Sequence, residues 1–302
     1  MSPATNPWTD LDRPPLRQAA LARALTRRAE GDEGPDAVWR AVEVVASTGS
    51  TNADVAARAR AGEPEGLVLV ADHQEAGRGR LGRSWEAPPR AALAVSLLLR
   101  PPVEPARWSW LPLLTGLGVV DALRRTCGVP AGLKWPNDVL VPEPERGQQP
   151  ELGERRKVCG VLAEAVTRPD GGPVAAVVGF GLNVDQHRAE LPVPTATSLR
   201  LTGAATLDRD TVLRACLRAV AVRYRQWVDA AGDARAAGVG AAYREACLTL
   251  GLQVEVRLPG AGAGEVLRGT AEEVDDDGRL VVATADGLRA LAAGDVAHVR
   301  AV

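Results

Sequence analysis

Three arginines and three glycines alternate in a short loop, Gly-Arg-Gly-Arg-Leu-Gly-Arg-Ser-Trp, at residues 77–85. Arg78, Arg80 and Arg83 offer forked donors that match the oxygens of a phosphate or a carboxylate. The glycines allow the backbone to approach a ligand closely, and Trp85 offers a flat apolar face for a base or a ring. We predict a lid over an anionic ligand; a solvated loop and a nucleic-acid-binding arginine–glycine tract remain the alternatives.

Only two of the 36 Lys and Arg residues are lysines. Lys134 begins the segment Lys-Trp-Pro-Asn-Asp, and Lys157 begins an apolar strand pattern. A site that keeps lysine in such an arginine-rich chain is expected to need a compact ammonium. We predict that Lys157 lies at the mouth of a sheet-lined pocket and stabilises an oxyanion, with an ordinary strand-end lysine as the alternative. Asp138 is a candidate to hold Mg²⁺ on a phosphate or to pair with a lysine.

Two polar clusters could recognise a small uncharged group. The first comprises Ser50, Thr51 and Asn52 at a predicted helix start, together with Gln74 after a predicted strand. These side chains present hydroxyl and amide groups beside free backbone N–H groups, although helix capping alone would also explain Ser50 and Thr51. The second cluster ends a strand at Asn183, where two glycines could instead mark a bulge.

These residues need elements to position them, and the periodicity predicts an α+β fold. Strand and helix patterns share residues 37–250, and short alternating strands between Gly and Asp turns predict a small β-barrel over residues 251–302. Residues 1–36 are predicted to be a helical lead-in with one amphipathic helix near 15–30, too short for a winged-helix DNA-binding domain. The polar stretch 142–156 is predicted to be an exposed hairpin tip.

Composition excludes several classes of protein. A net charge of −2 argues against a general nucleic-acid or membrane-surface binder, and no apolar run is long enough to span a membrane. The four cysteines are scattered and are interpreted as reduced cytoplasmic thiols. His187 and His298 form no ligand pattern and are expected at the surface. We therefore predict a cytoplasmic protein without nucleic-acid or membrane partners.

In chain order, these motifs resemble those of the bacterial biotin protein ligases without an N-terminal DNA-binding domain. The resemblance covers about residues 37–250, and the terminal strands resemble the small SH3-like domain of that family. It implies a catalytic domain of the class II synthetase-like, biotin–lipoate ligase type, an α+β fold in which helices flank a mixed central β-sheet. The motifs that carry the resemblance are Ser50-Thr-Asn52, Gln74, the loop 77–83, Lys134-Trp-Pro-Asn-Asp138, Lys157-Val-Cys-Gly-Val-Leu-Ala-Glu164 and Gly179-Phe-Gly-Leu-Asn183.

The resemblance implies a two-step reaction in which biotin and ATP form biotinyl-5′-AMP, and the biotinyl group then passes to a lysine of a biotin carboxyl carrier domain of a carboxylase. Lys157, Arg78 and Arg80 would be the catalytic residues, and Asp138 would bind Mg²⁺. By the same resemblance, the biotin-binding set would be Ser50, Thr51, Asn52, Gln74, Arg78, Gly79, Arg80 and Lys157. The nucleotide-binding set would be Arg83, Trp85, Lys134, Asn137, Asp138 and Asn183.

Two other functions are weighed against this interpretation. A lipoate or octanoate protein ligase would share the fold, but the complete loop 77–83 and the segment 134–138 favour biotin. A nucleic-acid-binding or regulatory module could use the arginine–glycine loop, but the net charge of −2 speaks against it.

Overall fold

A seven-stranded mixed sheet forms the centre of the protein. The structure is a computed structural model that describes residues 13–26, 38–167, 173–258, 266–292 and 294–298. The sheet order is β1-β2-β3-β7-β6-β5-β4; β1 and β2 pair in parallel and the other neighbours pair antiparallel. The strands are β1 Ala41–Val45, β2 Leu67–Ala71, β3 Ala92–Leu99, β4 Gly132–Lys134, β5 Asp138–Pro142, β6 Arg155–Thr167 and β7 Pro173–Asn183.

Helices cover both faces of this sheet. On one face, Val55 and Ala59 of α2 pack against Leu67 and Leu69 of β2. On the other face, α3 and α4 pack together in the larger core. Gly118 of α3 allows this close approach, because a Cβ atom there would lie 2.8 Å from the backbone of α4. The described helices are α1 Gln18–Leu25, α2 Thr51–Arg60, α3 Trp110–Ala122, α4 Arg209–Asp229 and α5 Val239–Ala246.

The helix α1 belongs to the same core as the sheet. Leu16, Leu21 and Leu25 are buried in the larger cluster, and the Gln18 side chain accepts a hydrogen bond of 2.8 Å from the edge backbone N–H of Val44. Arg13 bonds the Glu190 carboxylate at 3.0 Å on the loop after β7. The helix predicted near 15–30 is thus observed at Gln18–Leu25, and residues 27–30 lie outside the described part.

The terminal strands form a second sheet, with order β11-β10-β9-β8-β12 and antiparallel pairing throughout. Within the described residues β11 and β12 do not pair, so this is an open sheet and the expectation of a closed barrel is wrong. Indole N–H groups of Trp110 and Trp135 dock it by donating to the Asp276 and Gly278 carbonyls at 2.7 and 3.0 Å. The strands are β8 Gln253–Arg257, β9 Val266–Val274, β10 Leu280–Thr284, β11 Gly287–Leu291 and β12 Asp295–His298.

Two further expectations need correction. The stretch 142–156 is partly buried, because the Arg156 guanidinium turns inward and donates to the carbonyls of Gly153 and Gly147, at 2.9 Å each. His298 is buried as well, with Nε2 3.2 Å from the Thr249 hydroxyl. Both side chains are polar. A buried polar group needs hydrogen-bond partners, and the sequence alone does not identify them.

Candidate active site

One cavity of about 680 Å³ brings together every candidate site residue of the sequence. Its size is within the range of small-molecule and cofactor sites. It lies where the ends of α2, β5, β6 and β7 meet the loop 77–85, and Asp295 of the terminal sheet also lines it. The predicted residues around it are Ser50, Thr51, Asn52, Gln74, Arg78, Gly79, Arg80, Arg83, Trp85, Lys134, Asn137, Asp138, Lys157 and Asn183.

The start of α2 forms one end of the cavity, which we call the head-group end (Ser50, Thr51, Asn52 and Gln74). Ser50 is the residue before the helix, but its hydroxyl makes no capping hydrogen bond. Instead, Oε1 of Gln74 accepts from the Thr51 backbone N–H at 2.9 Å and lies 3.0 Å from the Thr51 hydroxyl. Helix capping by Ser50 therefore does not explain the motif.

Ser96 is a polar residue of this region that the sequence analysis missed. It is fully buried in the middle of the apolar strand β3. Its Oγ lies 2.7 Å from Oγ1 of Thr51 and 2.6 Å from Oδ1 of Asn52. The available signal was a hydroxyl in an otherwise apolar strand, since a buried polar group needs a partner.

Two glycines of β7 make room for neighbouring side chains. Gly179 and Gly181 both keep regular pairing with β3 and β6, so neither marks the bulge considered as an alternative. A Cβ atom at Gly179 would overlap the amide of Asn52, and one at Gly181 would overlap the ring of Trp85. Because glycine has no side chain, Asn52 and Trp85 can both pack directly against β7 at these two positions.

Lys157 lies in the middle of the cavity wall. Its Nζ is 2.6 Å from Oδ1 of Asp138, an ion pair whose angle falls outside hydrogen-bond geometry, and it is 5.8 Å from the centre of the Trp85 ring. The Lys157 backbone is fixed on the other side, where its N–H donates to Thr195 at 2.8 Å and its carbonyl accepts from Thr197 at 2.9 Å. Of the two options for Asp138, the pairing with a lysine is observed.

The loop 77–85 is a compact hairpin-like turn that covers the cavity. The Gly79 N–H donates to the Arg83 carbonyl at 2.6 Å, and the Trp85 N–H donates to the Gly77 carbonyl at 2.9 Å. Arg80 points inward and donates to Oδ1 of Asn137 at 3.0 Å; burial lowers the pKa of its guanidinium. Arg83 instead forms an ion pair with Asp295 of the terminal sheet.

The remaining candidates lie at the last residue of β7 and in β4. Asn183 is buried; its amide donates to the Thr197 carbonyl at 2.9 Å and accepts from Gln186 at 2.7 Å. Lys134 is also buried, at the end of the edge strand β4. Both side chains reach the cavity wall, so a ligand could contact either one without a rearrangement of the sheet.

Known proteins share this architecture. The Biotin/lipoate A/B protein ligase family matches residues 44–183, and the Biotin protein ligase C terminal domain matches residues 249–299. The chain is 41% identical to a Mycobacterium tuberculosis protein named Biotin--[acetyl-CoA-carboxylase] ligase, over 97% of this chain and 100% of that protein. The chain belongs to the biotin protein ligase family. A Paracoccus denitrificans protein of the same name is 30% identical to this chain, over 84% of this chain and 98% of the Paracoccus denitrificans protein.

The structure of this ligase agrees with solved members. A biotin protein ligase from Aquifex aeolicus, solved in complex with biotin and ATP, aligns with a TM-score of 0.66 and 28% identity, over 86% of this chain and 99% of that chain. The mixed sheet with its helices and the terminal SH3-like sheet are thus the fold of the family, as expected from the sequence.

The four cysteines of this ligase are buried free thiols. Cys159, two residues from Lys157, is fully buried, and this burial raises the pKa of its thiol. Burial also raises the pKa of Cys127, to about 11. A thiol that stays protonated is a poor nucleophile, so the cavity provides charge and positioning and no cysteine nucleophile.

Proposed function

We propose that this chain forms biotinyl-5′-AMP from biotin and ATP and then transfers the biotinyl group to one lysine of a biotin carboxyl carrier domain. The observation that carries the proposal is that one cavity combines a polar head-group end, a lysine ammonium and an arginine lid. The name of the Mycobacterium tuberculosis relative and the biotin and ATP in the Aquifex aeolicus structure support it.

In the first step, an oxygen of the biotin carboxylate attacks the α-phosphorus of ATP, an O–P bond forms, and pyrophosphate leaves. Two anions must meet, so positive charge has to screen them. Lys157 would contact the carboxylate and the new mixed anhydride, while Arg78 and Arg80, with the Gly79 backbone, would close over both. Ser50, Thr51, Asn52 and Gln74 would hold the biotin rings and thereby aim the carboxylate.

The nucleotide would occupy the opposite part of the cavity. Lys134 and Asn137 would serve the phosphates, Asn183 would lie near the adenylate, and Arg83 and Trp85 would order the lid and cover the adenine. In the second step, the acceptor amine attacks the carbonyl carbon, a C–N bond forms, the C–O bond to phosphate breaks, and AMP leaves. Exclusion of water by the lid would protect the anhydride from hydrolysis.

Mg²⁺ is the proposed metal. The described residues contain no group of three His, Cys, Asp or Glu side chains that could hold an ion by themselves. This fits Mg²⁺, which usually combines one or two carboxylates with substrate phosphates and water. Asp138 would supply that carboxylate, and the metal would add screening charge at the phosphates.

The proposed partner is the carrier domain of an acetyl-CoA or other acyl-CoA carboxylase, as the names of the relatives suggest. Among the described residues, no helix has both the length and the apolar character to cross a membrane. We propose a cytoplasmic location and no nucleic-acid partner, which is consistent with the net charge of −2.

Isotope exchange between pyrophosphate and ATP tests the first step. We expect exchange that depends on biotin and Mg²⁺ and that lipoate does not support. The second step is tested by adding a carrier domain and measuring the mass gain of one biotinyl group on its lysine. Exchange with lipoate and not with biotin would assign the cavity to the other branch of the family, and absence of both would refute a ligase.

A further inference from the structure

The connection between β5 and β6, residues 143–154, lies beside the cavity but takes no part in the proposed chemistry. Apart from two prolines, Leu152 is its one apolar residue. Leu152 is buried, yet it belongs to neither apolar cluster of the described core and instead lines the cavity. The connection thus contributes its one apolar side chain to the cavity wall and not to the core.

Backbone hydrogen bonds make this connection rigid. Gln149 and Gly153 exchange two N–H to carbonyl bonds of 2.8 Å each, and the Glu143 N–H donates to the Glu154 carbonyl at 2.7 Å. The buried guanidinium of Arg156 closes the turn through the two carbonyl contacts described above. Because buried hydrogen-bond networks restrict motion, the connection can hold a neighbouring segment in place.

That neighbour is the loop after β7, residues 187–197, which we call the rim loop. Four of its residues line the cavity, namely Pro192, Val193, Thr195 and Ala196. Nη1 of Arg146 donates to the Ala196 carbonyl at 2.7 Å. The Lys157 backbone bonds the same segment from the opposite side, as described above. The end of the rim loop is therefore hydrogen-bonded both to the connection and to β6.

A buried carboxylate sets the position of Arg146. Oε2 of Glu143 lies 3.5 Å from the same Nη1 that bonds Ala196. A buried carboxylate needs a positive partner, so Glu143 favours the arginine conformation that reaches the rim loop. Oε1 of Glu143 also accepts from Arg188 at 2.9 Å, but the Arg188 side chain is 52% exposed, and water screens this second link. Arg146 is thus the main link.

The rim loop lies on the nucleotide side of the cavity as assigned above. The Thr197 carbonyl accepts from the amide of Asn183, the residue proposed to lie near the adenylate. The head-group end has its own support, because Thr51 is bonded to Gln74 and Ser96. A displaced rim loop is therefore expected to affect the nucleotide before it affects the biotin rings.

We propose that the β5–β6 connection is a brace that fixes the rim loop as the nucleotide-side wall of the cavity before a ligand binds. Arg146 and Glu143 are its positioning residues, and Leu152 adds apolar surface to the wall. The inference rests on the proposed function, because it takes ATP as the ligand on this side. A loop that is ordered in advance loses little conformational freedom on binding, and the affinity for the nucleotide is correspondingly higher.

Hydrogen exchange of the full chain without ligand tests the brace. In the wild type, the Thr197 amide should exchange slowly, since it donates to the Lys157 carbonyl at 2.9 Å. Arg146→Ala should speed exchange at residues 195–197 about tenfold, because a hydrogen bond from a charged donor is lost. Saturating ATP should restore the protection in Arg146→Ala, because the bound nucleotide then orders the loop.

Steady-state kinetics of adenylate formation test the consequence for the ligand. We expect Arg146→Ala to raise the KM for ATP about tenfold, with the KM for biotin within about twofold of the wild type. Arg146→Lys should recover part of the loss, since lysine keeps a charged donor beside Glu143. Glu143→Gln should change both readouts in the same direction but less, and it keeps the test valid if Arg146→Ala fails to fold.

Arg244→Ala is the matched control. Arg244 is also half-buried, donates to a carbonyl, that of Val274, at 2.9 Å, and lies 3.8 Å from a carboxylate, that of Glu273. It does not line the cavity. Exchange in the rim loop and the KM for ATP should both match the wild type in this variant.

The outcomes separate the inference from the proposed function. Wild-type amides at residues 195–197 that exchange rapidly until ATP is added would overturn the brace, as would unchanged exchange in both Arg146→Ala and Glu143→Gln. Faster exchange with an unchanged KM for ATP would overturn the assignment of this wall to the nucleotide. A wild type without biotin-dependent pyrophosphate exchange would overturn the proposed function, whereas the hydrogen-exchange result needs no catalysis.

Discussion

The two ends of the cavity are held in opposite ways. At the head-group end, Thr51 is 3% exposed, Ser96 is fully buried, and their hydrogen bonds run between α2 and the central strands. At the lid, Leu81 is 60% exposed and the Arg83 side chain is 62% exposed, with an ion pair to Asp295 as its contact to the terminal sheet. Buried hydrogen bonds resist exchange, whereas water and salt screen exposed ion pairs.

This difference suggests a division of labour. The head-group end is built before any ligand arrives, so it can select the ligand at little cost in ordering. The Arg80–Asn137 hydrogen bond of the lid and the Lys157–Asp138 ion pair of the cavity wall each hold a cation that a carboxylate or a triphosphate could bind instead. We therefore expect the rigid head-group end to select the ligand and the exchangeable contacts of Arg80 and Lys157 to retain it.

The largest effect is expected from Lys157→Ala. Removing one preorganised charge from a reacting centre costs about 10²–10³-fold in rate, so adenylate formation should fall by at least that much. The thermal midpoint should stay near the wild-type value, because the side chain is partly exposed and packs little. Single-turnover formation of biotinyl-5′-AMP measures this, and normal turnover would remove Lys157 from the chemistry. Lys157→Arg serves as the control for charge without a compact ammonium.

A pair of glycine variants compares the two ends directly. Gly179→Ala would push against Asn52 in the rigid network, so we expect a KM for biotin raised about tenfold and a thermal midpoint lowered by about 5 °C. Gly181→Ala would push against Trp85 on the lid, which can swing outward, so adenylate should leave faster with little change in the midpoint. Calorimetry and a release assay distinguish them. Equal thermal losses would contradict the contrast between rigid and movable ends.

Arg80→Ala should release the adenylate about tenfold faster. The guanidinium is half-buried and bonded to Asn137, and a charge-assisted hydrogen bond contributes about 1.5–3 kcal/mol. Release of labelled biotinyl-5′-AMP into a chase of unlabelled ligand measures the rate. Arg60→Ala, an exposed arginine at the end of α2, is the control and should behave as the wild type. Unchanged release in Arg80→Ala would count against a lid.

The smallest effect is expected from the ion pair of Arg83 with Asp295. Exposed pairs contribute about 0–1 kcal/mol, so Arg83→Ala or Asp295→Ala should speed release only about two- to threefold. High salt should abolish the difference from the wild type. An effect that salt does not reduce would mean that Arg83 contacts the ligand and not the terminal sheet.

Sequence patterns predicted which residues line the cavity, because the lining motifs contain residues that stand out in this chain, such as its two lysines and the Gly-Arg repeat. They missed Ser96 and Glu164, because their shared partner Asn52 lies more than 40 positions away along the chain. The burial of His298 was missed for the same reason, since its partner Thr249 lies 49 positions away along the chain. The partners of Arg156 are the nearby carbonyls of Gly153 and Gly147, which converge on its guanidinium only through the conformation of the intervening turn. Local periodicity predicted the strands but not whether the terminal sheet would close, which depends on pairing between distant strands.

The helix α1 has a practical consequence for protein engineering. Three leucines of this segment fill the core, and Gln18 covers the open edge of β1. A chain trimmed to begin at residue 37 would expose the apolar surface that these leucines cover and the edge of β1 that Gln18 covers. Exposed apolar surface and unpaired strand edges both promote aggregation. Tags, display fusions and split-protein junctions therefore belong ahead of residue 13.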